Sequence, residues 1–288
     1  MKDSSIINYL CKSEDNTNAY DKFYSNTIKS LNIDEYTVSD ILSMLNKDNY
    51  ELFNKIESEI DNEHVNYDHK IHGPRHIKDV LLYSILLNSN LFSDKHNLEL
   101  LAYSAKYHDV ARDSDGNEEH AIASANVVPE LLNGKYSPED IAKIQALIAF
   151  HEVDRRRTNL DYIFREICMH YGVNDKDIDE LRKYAEILKD ADALDRTRFV
   201  NRARLNPYML YYLESQKFIK VASCLQETYA LSDLKKYNAD EDIDIILSEF
   251  TPQETLRFIR RNTKYMNDDE IKEFIHNDAL NISKSSRR

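Results

Sequence analysis

The sequence predicts an all-α protein, and three observations carry that prediction. Glycine occurs 4 times and proline 5 times in 288 residues, which leaves few tight turns for a sheet-rich chain. Leu, Ile, Lys, Glu, Asp and Asn are abundant, a composition in which helix formers weigh heavily. Apolar residues also recur at three- and four-residue spacing over long stretches, the period of an amphipathic helix. A chain of this length can bury a full core, and it contains no run of 18 apolar residues, so no transmembrane helix is expected.

Residues 1–63 read as a helical N-terminal extension, with helices expected at Asn18–Leu31 and Tyr36–Met44. Leu42, Leu45, Leu52, Phe53, Ile56 and Ile60 supply its apolar stripes. The His- and Asp-rich stretch 64–75 breaks the pattern, and Gly73-Pro74 sets up a helix start, since proline suits the first turn. His76, Val80, Tyr83 and Leu87 then fall on one side of that helix. His72 precedes it and is not required to point inward.

The next helix is expected from Leu98 to Arg112. Leu98, Leu101, Ala102 and Ala105 form its buried stripe, which His108 and Asp109 extend. A buried carboxylate is costly without a cation or strong hydrogen-bond partners, so Asp109 asks for one. Asp115 to Glu118 reads as a turn with capping-box spacing, after which His120, Ala123, Ser124 and Val127 share a face. Ser137-Pro138 opens a helix whose inward stripe is Ile141, Ile144, Ile148 and His151. Arg155-Arg156-Arg157 follows as a basic loop able to meet a polyphosphate.

From Asp179 to Thr197, Leu181, Tyr184, Leu188, Asp192 and Asp195 share one face while Asp190 lies round from it. The stripe therefore selects Asp192 over Asp190 as the buried ligand. A Tyr- and Leu-rich helix is expected from Pro207 to about Leu231, then helices near 240–249, 252–262 and 268–280, with a frayed tail from Ser283. Residues 64–230 are read as one catalytic domain, and 231–288 as helices packed on it.

The formal net charge of -13 argues against nucleic-acid polymers and anionic membranes as partners, while a small nucleotide remains admissible. Cys11, Cys168 and Cys224 lie far apart without a C-x-x-C pair and read as buried or incidental thiols. Met1 to Ser5 lacks the apolar core of a secretory signal, so a cytoplasmic location is expected, with export by a signal-less route still open.

His76, His108, Asp109, His151 and Asp192, with His120 as a sixth, thus fall on inward stripes of five helices. Imidazole and carboxylate are the ligands of Mn, Fe, Co, Ni or Zn held by nitrogen and oxygen, and helical bundles converge such side chains in their cores. Arg112 is placed to meet a bound anion.

This ordered set resembles the HD-domain superfamily of metal-dependent phosphohydrolases. The likeness rests on His72-Gly73-Pro74-Arg75-His76, the His108-Asp109 doublet, His151, and Asp192 within Asp190-Ala191-Asp192-Ala193-Leu194-Asp195-Arg196. It covers about residues 70–200. The resemblance implies a helical bundle that cleaves a phosphate ester, with a nucleotide as the expected small phosphorylated substrate. A divalent ion (Mn, Fe, Co, Ni, Zn or Mg) would be held by His76, His108, Asp109 and Asp192. His120 and His151 resemble the extra histidines of two-metal members, which leaves the metal count open. Arg112 would hold a phosphoryl oxygen, and Glu119, His120 or His151 would serve the chemistry. A second, looser likeness is to the phosphodiesterase domains of SidE-type effectors, which process ADP-ribosylated ubiquitin without needing a metal. Carried over, His76, Glu119 and His151 would be catalytic. A non-catalytic nucleotide-binding module is the third class.

Overall fold

The computed structural model describes residues 44–62, 72–92, 94–112, 120–198, 205, 207–219, 221, 222 and 225. Among them the regular structure is helical and no strand occurs, so the all-α expectation holds. Met44–Asp195 and Pro207–Ser215 form one compact unit. Its helices are α1 (Lys47–Asn62), α2 (Pro74–Leu91), α3 (Lys95–Tyr107), α4 (His120–Leu131), α5 (Pro138–His151), α6 (Leu160–Tyr171), α7 (Ile178–Asp195) and the start of a short α8 (Leu213–Lys217). A second unit takes in Met1–Ser43, Arg196–Asn206 and Gln216–Arg288. Its described part includes the 3-10 turn Arg196–Arg198 and the buried Phe218, Ile219, Val221, Ala222 and Leu225. The helices expected at Asn18–Leu31, 240–249, 252–262 and 268–280 lie outside the described residues. So do 36–43, the turn Asp115 to Glu118, Cys11, Cys224 and the tail from Ser283.

α2 is the centre of the first unit because its residues are largely apolar and are buried on every side. From His76 to Asn88 it buries every residue but Lys78, and such a helix needs neighbours all round. α1, α3 and α7 pack against it, while α5 packs against α3, α4, α6 and α7. Each fully buried Leu, Ile or Val contributes about 1.5–3 kcal/mol, so this arrangement supplies a rigid frame. α1 presents Phe53, Ile56 and Ile60 to the core and belongs to the same unit as the helices that follow.

Three details differ from expectation. On α4 the buried set is His120, Ala121, Ser124, Ala125 and Val128, and Val127 is exposed. The small side chains Ala121 and Ala125 face α5 closely enough for Gln145 to donate to the Ala125 carbonyl at 3.0 Å. After the basic run comes α6, an element absent from the sequence reading. It buries Phe164 and Cys168 and ends on Gly172 at φ 82°, a left-handed C-cap that favours glycine. Burial pushes the Cys168 thiol up to about 12. Finally, the helix expected from Pro207 onward begins as a 3-10 turn, Pro207–Met209, and breaks before α8. The break has a cause: the Asp190 carboxylate takes the Tyr211 and Tyr212 N–H groups at 2.8 and 3.1 Å.

Candidate metal centre

Two helices end on histidines through the same local device. α3 stops at Tyr107, so His108 and Asp109 follow the helix rather than extending it to Arg112 as expected. The Val110 N–H turns back to the Tyr107 carbonyl at 3.2 Å. The Ala111 N–H leaves the ladder for the Ser124 hydroxyl of α4 at 3.1 Å. His108 Nδ1 lies 2.8 Å from the Ala105 carbonyl, three residues back. At the end of α5, His151 Nδ1 lies 2.6 Å from the Ile148 carbonyl, also three residues back. A carbonyl oxygen only accepts, so Nδ1 carries the hydrogen in both rings and a neutral ring presents a bare Nε2. His76, in the first turn of α2, places Nδ1 2.6 Å from Asp195 Oδ2. An ionised carboxylate also only accepts, and the same tautomer follows.

These bare nitrogens converge with two carboxylates. His76 Nε2 and His108 Nε2 are 3.1 Å apart. His76 Nε2 lies 3.5 Å from both Asp109 Oδ2 and Asp192 Oδ1. His108 Nε2 lies 3.6 Å from Asp109 Oδ2 and 4.0 Å from Asp192 Oδ1. His151 Nε2 lies 3.7 Å from Asp109 Oδ1. Facing lone pairs repel unless a proton or a metal cation lies between them. Ligands about 2.0–2.2 Å from one ion stand roughly 3.0–3.5 Å apart when adjacent and about 4.2 Å apart when opposite. The observed separations fall in that range, so the donor set fits a divalent ion. Three overlapping groups share the geometry: His72, His76 and Asp109; His76, His108 and Asp192; His108, Asp109 and His151.

The electrostatics agree with the geometry. Burial pushes His108 down against the opposing charge of Asp109, which favours the neutral, ligating ring. Burial alone would raise Asp109. The four histidines crowded round it, His108, His120, His151 and His72, outweigh that and hold the carboxyl well below its usual range.

His72, set aside on helical geometry, does reach the centre. Its Nδ1 is 2.8 Å from Asp109 Oδ2. A residue just before a helix has no fixed helical face, so stripe logic did not apply to it. His120 Nε2 lies 2.9 Å from Arg112 Nη1 and 3.2 Å from Asp109 Oδ1, and its Nδ1 lies 3.4 Å from Glu152 Oε2. The guanidinium requires a lone pair on that nitrogen and the carboxylate requires a proton. Burial lowers His120, but Asp109 outweighs it, so the ring is raised overall. Arg112 also stands 3.4 Å from Asp109 Oδ1. Glu119 lies outside the described residues.

On α7 the two candidate aspartates exchange the burial expected of them. Asp190 is the buried one, while the Asp192 side chain is 20 % exposed and borders the centre. The reason is tertiary: Asp190 accepts from the Tyr211 and Tyr212 N–H groups and the Ser215 hydroxyl, and so ties the chain entering α8 to α7. Burial raises its carboxyl to about 6 despite those bonds. Asp195, on the same face as Asp192, orients His76. Arg155 stacks on Tyr211 with Cζ 3.8 Å from the ring centre, and Arg156 pairs with Asp154 at 2.7 Å.

The centre thus combines three oriented imidazoles, two carboxylates and a nearby guanidinium, a set able to hold a cation and an anion side by side. No family model matches the chain, and no curated protein or solved structure matches it. No described helix is long and apolar enough to cross a membrane.

Proposed function

We propose that this protein is a metal-dependent phosphohydrolase of the HD type, a phosphodiesterase or related phosphoric ester hydrolase whose substrate is a nucleotide-class phosphate ester. One observation carries the reading: the Nε2 atoms of His76 and His108 face each other at 3.1 Å beside Asp109 and Asp192. His76, His108, Asp109 and Asp192 would hold one divalent ion, with His151 bordering it. Such an ion supplies positive charge that acidifies a water and neutralises a phosphoryl oxygen.

The chain's own residues do the rest. Arg112 is held by a long contact to Asp109 and a bond to His120 that competes with the Asp109–His120 contact. An incoming phosphate offers the guanidinium a better, bidentate partner. Its departure frees His120 to bond Asp109, with Glu152 on the ring's other nitrogen. His151, fixed by Ile148 with Nε2 bare, is the candidate for taking the proton released by the attacking water and handing it to the leaving oxygen.

The test is elemental analysis of protein purified without added metal, alongside His108→Ala and Asp192→Ala, with a phosphodiester substrate assayed with and without chelator. Stoichiometric metal and activity in the wild type, both lost in the variants, is expected. Unchanged metal in the variants would overturn the ligand assignment. Hydrolysis that survives chelation but not Glu119→Gln would move the protein to the metal-independent SidE-type class. Nucleotide binding without turnover would make it a binding module.

A further inference from the structure

Each charged side chain on one stretch of α7 ties down a different element. Asp195 holds His76 on α2, Asp192 enters the centre itself, and Asp190 holds residues 211–215 through Tyr211, Tyr212 and Ser215. Lys189 completes the series. Its Nζ donates to the backbone carbonyls of His151 at 2.7 Å, Val153 at 2.6 Å and Phe150 at 3.3 Å. The ammonium also stands 5.1 Å from the centre of the Phe150 ring.

The last carbonyls of any helix lack partners within it, and a lysine at that end satisfies them while opposing the negative end of the helix dipole. Here the capped helix is α5, and its last residue is His151. The His151 ring depends on the same backbone turn, because its Nδ1 is fixed by the Ile148 carbonyl. If the last turn of α5 loosens, that bond loosens with it, and the Nε2 atom loses its aim at Asp109.

We propose that Lys189 is a positioning residue that sets the tautomer and direction of His151 from behind. It touches neither substrate nor ion. It couples the last turn of α5 to α7 and so presents His151 to the centre in one register. The role of His151 rests on the metal-centre reading above, whereas the state of its ring can be read without any metal.

The experiment uses full-length protein with 15N-labelled histidine, freed of metal, and reads the His151 ring nitrogens by long-range proton–nitrogen correlation. Zn2+ affinity is measured separately by competition with a chromophoric chelator. The wild type is expected to show a single Nδ1–H tautomer at His151. Lys189→Met keeps the stem and removes the three donors. It should give a mixed tautomer and weaken Zn2+ binding by up to about 10-fold, the low end of the cost of losing an outer-shell partner, since His151 borders the ion. Lys189→Arg should restore both readouts. In a His151→Ala background, Lys189→Met should cost nothing further.

Unchanged His151 signals in Lys189→Met, or an equal affinity loss without His151, would overturn the proposal. Should Lys189→Met fail to fold by circular dichroism, Lys189→Gln takes its place in the same comparison with Lys189→Arg. A wild type that binds no Zn2+ would sink the metal reading, and the tautomer comparison would still decide the role of Lys189.

Discussion

Among the described residues, the first unit holds a polar cluster around a buried lysine and the buried histidine centre, and the two are built on opposite rules. One surrounds Lys106, which is fully buried with Nζ 2.8 Å from Glu59 Oε2 and 4.7 Å from the Tyr107 ring centre. Tyr103 donates to the other Glu59 oxygen at 3.0 Å, and Tyr136 and Lys55 donate to Glu99 at 2.8 and 3.2 Å. Every carboxylate there receives donors. Burial, helped by Glu59, pushes the Tyr103 phenol up to about 12, so it stays a donor. The other cluster is the histidine centre, where bare nitrogens and carboxylate oxygens face one another. Lys106 and His108 are two residues apart, and a turn of about 100° per residue sends them to opposite sides. The first cluster is completed by the chain's own donors, whereas the second is a donor set that could hold a cation.

The largest effect that would break this contrast is expected at the self-sufficient cluster. Lys106→Met removes the ammonium and leaves Glu59 half-satisfied. Loss of one partner from a buried pair costs about 3–5 kcal/mol. Glu59 retains 26 % exposure, which brings the expected loss to about 2–4 kcal/mol. Denaturant unfolding of metal-free protein measures it. A loss near zero would mean that the Lys106 cluster is no more complete than the histidine centre.

The next effect sharpens the other side. Asp195→Asn keeps the shape beside His76 Nδ1 but replaces a pure acceptor, 2.6 Å away, with an amide that can present either end. The tautomer of His76 is then no longer forced. Zn2+ affinity should fall about 10–100-fold, with little change in the stability of the metal-free protein. Equal metal affinity in Asp195→Asn and wild type would show that His76 is oriented by packing alone.

Much of the frame was legible in the sequence, because helical periodicity reports which residues face a core. His76 and His151 were read from stripes and are buried at 3 % and 8 % exposure. The misreadings share a physical cause, which is that periodicity carries no information beyond its own helix. Asp190 is buried because a segment twenty residues later folds onto it, and no helical wheel contains Tyr211. His72 sits before α2 and has no helical phase, although its four-residue spacing from His76 was a usable signal. Lys189 carries no signal in sequence, and its bonds to the end of α5 appear only when α5 and α7 are brought together. The end of α3 was misplaced for a related reason: Ser124, distant in sequence, takes the Ala111 N–H that would have continued the helix.

The smallest predicted effect tests the contrast most directly, because its sign depends on the metal. Asp192→Asn introduces an N–H donor among surplus acceptors, within 3.5 Å of His76 Nε2 and 4.0 Å of His108 Nε2 at the present oxygen position. It also removes one of the negative charges beside Asp109. In chelated protein the variant should therefore be more stable than wild type, by about 0.5–1.5 kcal/mol, the net value of a hydrogen bond. That amounts to roughly 1–6 °C in Tm for a domain of this size. With Zn2+ at a hundredfold excess over its Kd the order should reverse, since the wild type gains about 2.7 kcal/mol from binding and the variant gains little. A cluster finished by its own hydrogen bonds would behave like Lys106→Met and lose stability in both conditions. A gain without metal and a deficit with it can arise only where a cation is the missing partner.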